Sequence, residues 1–116
     1  MSVWEQLVVF REKIKNKDGR MKECFKGIPI NYFDDEDEIL DAMANGYIPA
    51  IAEELDIDPD AEIWEIVGLV DHKNLFEDGE RAWDEEGRAW YRNICYNDYV
   101  WVRDPKWDRA PEKRKR

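Results

Sequence analysis

The chain has 116 residues, 43 % of them apolar and 13 % aromatic, with a formal net charge of −10. That richness in apolar and aromatic residues excludes a disordered chain, and the length fits one domain around one core. No run approaches the roughly 20 apolar residues of a membrane helix, and with this acidic balance direct nucleic-acid binding, which needs a basic field, is not expected.

The charge is segregated. Residues 1–33 carry seven Lys/Arg and four acids, or +3, and residues 34–86 carry twenty acids against Lys73 and Arg81, or −18. Residues 87–116 carry nine basic residues and four acids, or +5. An acidic centre between two mildly basic flanks repels nucleic acid and attracts basic surfaces, with fast and salt-sensitive association. The first residues, MSVWEQLVVFREK, show neither a basic leader nor a small-residue cleavage site. Cys24 and Cys95 have no metal-ligand spacing, so a cytoplasmic protein with reduced thiols is expected.

In chain order, Ser2 and Glu5 fit a capping box, and Val3, Leu7, Phe10 and Ile14 follow at helical spacing. The spacing predicts a helix over about 3–16, broken at Asp18-Gly19, then a short helix over roughly 20–26 closed by Gly27 and Pro29. The rival reading is a hairpin of 9–16 with 20–28 about the Asp-Gly turn, ranked second because neither side alternates cleanly. Asp34–Glu38 open a third helix, with Ile39, Leu40, Met43 and Ala44 on its inner face and Asn45-Gly46 as its stop. Pro49 starts a fourth through Leu55, with Ala50, Ile51 and Leu55 inward.

From Glu62 the character changes. IWEIVGLV reads as a buried strand, and strand-like pieces follow between Asp78-Gly79, Glu86-Gly87 and Asn97-Asp98. Arg81-Ala82-Trp83 recurs as Arg88-Ala89-Trp90. A hairpin with loop 84–87 sets Ala82 against Ala89, Arg81 opposite Trp90 and Trp83 opposite Arg88, each Arg able to lie on a Trp face. The fold expected is α+β, N-terminal helices packed on a small C-terminal antiparallel sheet, with residues 1–104 one domain and 105–116 a charged, flexible tail.

The acidic run Asp34-Asp35-Glu36-Asp37-Glu38 exceeds what a helix dipole uses for capping, which is one or two acids. A solvated face accounts for the excess, and so does a binding face. Asp56, Asp58 and Asp60 alternate like an EF-hand loop, but Ala61 stands where that loop needs glycine and Val67 where it needs a bidentate glutamate. No metal site is therefore assigned. His72 is the only histidine, and no spacing makes it the base for Cys24 or Cys95. No phosphate loop or nucleophile elbow occurs, so no cofactor and no enzymatic activity are expected. Trp64, Trp83, Trp90, Tyr91, Tyr96, Tyr99, Trp101 and Trp107 exceed what a small core uses, and alternation leaves some outside as contact residues. The closing KRKR could touch nucleic acid, though a solubilising end needs no such role.

At Asp41–Pro49 the stretch DAMANGYIP resembles part of the acidic DNA-mimic antirestriction proteins of phages, where an Asp-rich lead also runs into a helix. The likeness covers about fifteen residues, and the Trp-rich half departs from that nearly all-helical family. In composition the chain looks like phage and plasmid counter-defence proteins, anti-CRISPRs among them. The resemblance implies a non-enzymatic inhibitor whose carboxylates substitute for phosphates on a basic, nucleic-acid-binding protein. Asp34, Asp35, Glu36, Asp37, Glu38 and Asp41 would meet the basic groove, supported by Glu53, Glu54, Asp58 and Asp60, with Trp83 and Trp90 adding exposed aromatic contact. The alternatives are a small adaptor binding through an exposed Trp/Tyr face, and a metal-dependent hydrolase using the 56–62 carboxylates.

Overall fold

The computed structural model describes residues 2–75, 79–93 and 98–109. Among them six antiparallel strands close into a barrel: β1 (Glu5–Lys15), β2 (Met21–Pro29), β3 (Glu62–Leu75), β4 (Gly79–Asp84), β5 (Ala89–Asn93) and β6 (Asp98–Arg103). Around the barrel the order is β1-β2-β6-β5-β4-β3. The last four strands form a meander, and the β1–β2 hairpin closes it by pairing with β3 on one side and β6 on the other. Between β2 and β3 the chain leaves the barrel through a 3-10 turn, Ile30–Tyr32, and two short helices, α1 (Glu36–Asn45) and α2 (Ala50–Glu54). No helix among the described residues is long and apolar enough to cross a membrane.

The architecture corrects the expectation of N-terminal helices packed on a C-terminal sheet. Residues 5–15 and 21–29 are strands, and the α+β class gives way to a predominantly β barrel with a helical insertion. The reason lies in Leu7, Val8, Val9 and Phe10, all fully buried. Leu7 and Val9 join Val67, Leu69, Ala82, Trp90 and Trp101 in one cluster, with Phe25 against it. That cluster draws on all six strands, so it is the barrel interior. Val8 and Phe10 point the other way, into a second cluster with Ile28, Phe33, Ile39, Ile48, Ala52, Ile57, Ala61 and Val100. A strand buried on both faces shows no alternation, and its apolar run mimics helical spacing.

Both tight hairpins use one device. Asn16 Oδ1 accepts the backbone N–H groups of Asp18 and Arg20, and Gly19 follows at φ +80°. Asp84 Oδ1 accepts those of Glu86 and Arg88, and Gly87 follows at φ +81°. In each case a glycine in the left-handed region ends a three-residue loop, the geometry in which a type I turn meets a bulge. Asp84 N–H therefore bonds to Arg88 O, and the register differs by one from the expected one. Ala82 faces Trp90, Trp83 faces Ala89 and Arg81 faces Tyr91. The turns expected at Asp78-Gly79 and Asn97-Asp98 involve positions outside the described residues.

The helical insertion matches its local signals. Asp35 caps α1, its carboxylate accepting the N–H of Asp37 at 2.9 Å, with Glu36, Asp37 and Glu38 in the first turn. Gly46, at φ 74°, closes it, and Pro49 caps α2.

Candidate functional site

The insertion holds Asp34, Asp35, Glu36, Asp37, Glu38 and Asp41 on and before α1, and Glu53, Glu54, Asp56, Asp58 and Asp60 in and after α2. All eleven are exposed. No described cation forms an ion pair with any of them, and the sequence has no Lys or Arg between Lys26 and Lys73. Three also have local work: Asp35 caps α1, Asp41 takes the Tyr47 hydroxyl at 2.6 Å, and Asp58 closes a turn on the N–H of Asp60.

The barrel treats its acids differently. Glu12 pairs with Lys26, Glu23 and Glu62 with Arg11, Glu65 and Asp84 with Arg88. Glu80 pairs with Arg92, Asp104 with Arg81, Asp108 with Arg103 and Asp71 with Arg109. These barrel acids thus have cationic partners, whereas the eleven acids of the helical insertion have none among the described residues.

Apolar side chains interrupt this face. Leu40, Met43 and Tyr47 are 59, 43 and 43 % exposed, and α1 buries only Ile39 and Ala42. Placing Leu40 and Met43 in the core is corrected accordingly: the short helix docks along a narrow stripe and turns its next row outward. Beside Leu40 runs an open groove of about 210 Å³ lined by Gln6, Ile30, Glu36, Ile39, Leu40 and Ile66. Sequence reasoning missed this groove, since periodicity identifies apolar rows without saying which one docks.

The two tryptophans assigned to the contact surface do not reach it. Trp90 is fully buried in the barrel, its indole N–H donating to Asp84 at 3.1 Å, and Trp83 is 5 % exposed. Trp83 is covered by the segment after β6, where Trp107 O accepts its indole N–H at 2.9 Å and Arg109 lies 3.5 Å above its ring. Arginine–tryptophan stacking does occur, but with other partners than the repeat suggested. Arg81 lies over Trp107, Arg103 over Trp90, Arg92 over Trp101 and Arg11 over Trp64. Residues 105–109, expected to fray, are held by the 3-10 turn Pro105–Trp107 and by Asp108, which accepts the Ala89 N–H and both Arg103 amino groups. Of the other aromatics, Trp64 and Trp107 are 46 and 53 % exposed. Cys95, Tyr96 and the KRKR end lie outside the described residues, as does the side chain of Tyr99.

A second cluster sits at one end of the barrel. His72 Nδ1 is 3.2 Å from Glu80 Oε2, while Glu80 Oε1 accepts from Arg92 at 2.7 and 3.0 Å. Trp4 meets the imidazole edge-on at 4.9 Å. Burial pushes the Glu5 carboxyl above its ordinary range, against the pull of Arg92. The cluster orients a histidine. Cys24 lies on β2, and burial pushes its thiol up, the opposite of activation. Around Asp56–Glu62, the Asp58 N–H donates to the buried Glu12 carboxylate at 2.8 Å, and Asp56 sits at φ 66°. No three His, Cys, Asp or Glu among the described residues are grouped to hold a metal ion.

No protein-family model matches the chain, and neither a curated protein nor a solved structure matches it significantly, so its function is argued from its own geometry.

Proposed function

We propose that this chain is a non-enzymatic inhibitor that binds a basic, nucleic-acid-handling protein through the helical insertion, as a phage or mobile-element counter-defence protein of the anti-CRISPR or antirestriction type would. One observation carries the reading: eleven exposed carboxylates share one insertion without a pairing cation among the described residues, while most acids of the barrel strands are ion-paired. Such carboxylates can replace phosphates at Lys/Arg contacts and displace nucleic acid from them. Exposed ion pairs contribute little affinity each, about 0–1 kcal/mol, so their number and the apolar side chains among them both matter.

The test is capture of host proteins on the immobilised chain at low salt, followed by competition with duplex DNA and with RNA. A basic partner that elutes as salt rises, is displaced by nucleic acid, and is lost when Asp34–Glu38 are replaced by lysines supports the reading. Simultaneous binding of nucleic acid, or indifference to salt, overturns it. The adaptor alternative now draws on Leu40, Met43 and Tyr47, because Trp83 and Trp90 are buried. An adaptor would keep its partner after that charge reversal.

A further inference from the structure

We infer that the acidic face contains a seat for one apolar side chain, the groove between α1 and the outer faces of β1 and β3, and that its occupant is a basic amphipathic helix of the partner. This rests on the proposed role of the acidic face and adds the chemistry of what that face receives.

The groove is small. At about 210 Å³ it lies below the roughly 300–1,000 Å³ of small-molecule sites, and it suits a single aliphatic or aromatic side chain. Its floor is already apolar, formed by Ile30, the buried Ile39 and Ile66, and Ile66 is 41 % exposed. Leu40 and Met43 extend it along α1 at a three-residue step, and the exposed Tyr47 stands just past the Gly46 cap, a short apolar row that a second helix can lie against. Helix-in-groove recognition uses this spacing of anchors.

Charge selects the occupant. Glu36 lines the groove, and Asp37 and Asp41 flank the row on the same helix. None of these three acids is paired with a described cation, so an acidic or neutral helix would gain nothing from the rim. A helix with an apolar stripe bordered by Lys and Arg satisfies floor and rim together. The carboxylates then supply fast encounter, and the buried anchor supplies retention.

The test uses three fluorescent peptides of equal charge: a lysine homopolymer, a Lys/Leu amphipathic helix, and the same Lys/Leu composition scrambled. Binding is read by anisotropy at low and high salt, with the wild type and with the double variant Leu40→Ser, Ile66→Ser. Burial of one leucine corresponds to about tenfold in affinity or more. The amphipathic helix is therefore expected to bind about tenfold tighter than either control and to retain binding at high salt. The double variant should lose that advantage while binding the homopolymer as the wild type does. Equal binding of the three peptides, or an advantage that survives in the variant, overturns the seat and leaves the acidic-face reading standing. If the wild type binds none of the three even at low salt, the acidic-face reading falls, and the seat with it.

Discussion

Asp84 shows how much one side chain can organise. Its carboxylate, 1 % exposed, accepts the Trp90 indole N–H, the Arg88 guanidinium and two backbone N–H groups of its own turn. Asp84→Ala would orphan a buried donor and leave Arg88 with Glu65 and the exposed Glu86. A loss of about 3–5 kcal/mol is expected in denaturant unfolding, and a loss below about 1 kcal/mol would contradict this account. Asp35→Ala removes only a cap and should cost about 1 kcal/mol, with Asp35→Asn nearly neutral in the same measurement. Asp71 and Asp108 report on the segment that covers Trp83. Arg109 holds Asp71 below the ordinary carboxylate range, and Arg103 does the same for Asp108. Depressed folded values mean that their stabilisation is fully present above the unfolded aspartate value of about 3.9 and is lost as pH falls through the lower folded values. The Trp83 indole N–H resonance should accordingly stay unchanged from neutral pH down to about 5 and move only in more acid solution. A shift near neutral pH would mean that something other than these aspartates holds the segment.

At the scale of elements, legibility followed the locality of the cause. The cap, the acidic first turn and the glycine stop of α1 are properties of adjacent residues, and they stand where the sequence placed them. Gly46→Ala is expected to cost about 1 kcal/mol, because a Cβ there meets no atom within 4 Å and only the backbone conformation resists. Gly46→Asn should lose less, and equal losses would point to a contact instead. β1 was misread because its partners on both faces, Val67 and Trp101 within the barrel and Ile39 and Ile57 beneath the helices, lie far away in sequence. The hairpin signal at Asn16–Arg20 was present, yet it was outweighed by an apolar spacing that two-sided burial had produced. The one-residue error in the β4–β5 register came from counting Asp84 as part of a four-residue loop, when it ends β4 and leaves a three-residue loop 85–87. The same Asn/Asp-x-x-Gly-Arg pattern closes both hairpins and could have set both registers. For the candidate site, the acids could be counted directly. The burial of Trp83 and Trp90 and the exposure of Leu40 and Met43 depend on closure of the barrel, which no local pattern reports.

The whole molecule separates its charge by architecture. The barrel pairs most of its strand acids and stacks arginines on tryptophans, whereas the insertion leaves like charges facing solvent. For the free protein, salt screens that self-repulsion, so modest salt should raise the melting temperature. The same salt should weaken a basic partner's hold, and the two effects must have opposite signs. Thermal unfolding and partner binding measured across one salt series would check this. A melting temperature that falls as salt rises would show that the paired charges of the barrel dominate instead. The cation-free stretch also has a consequence for proteolysis. Trypsin cuts after Lys and Arg, and neither occurs between Lys26 and Lys73. Even the fully unfolded chain must therefore release both helices and all eleven carboxylates of the insertion as one fragment, Gly27–Lys73. Carbodiimide coupling of those carboxylates to a partner's lysines, followed by digestion, would leave the bound surface on a single peptide whose mass identifies what it touched.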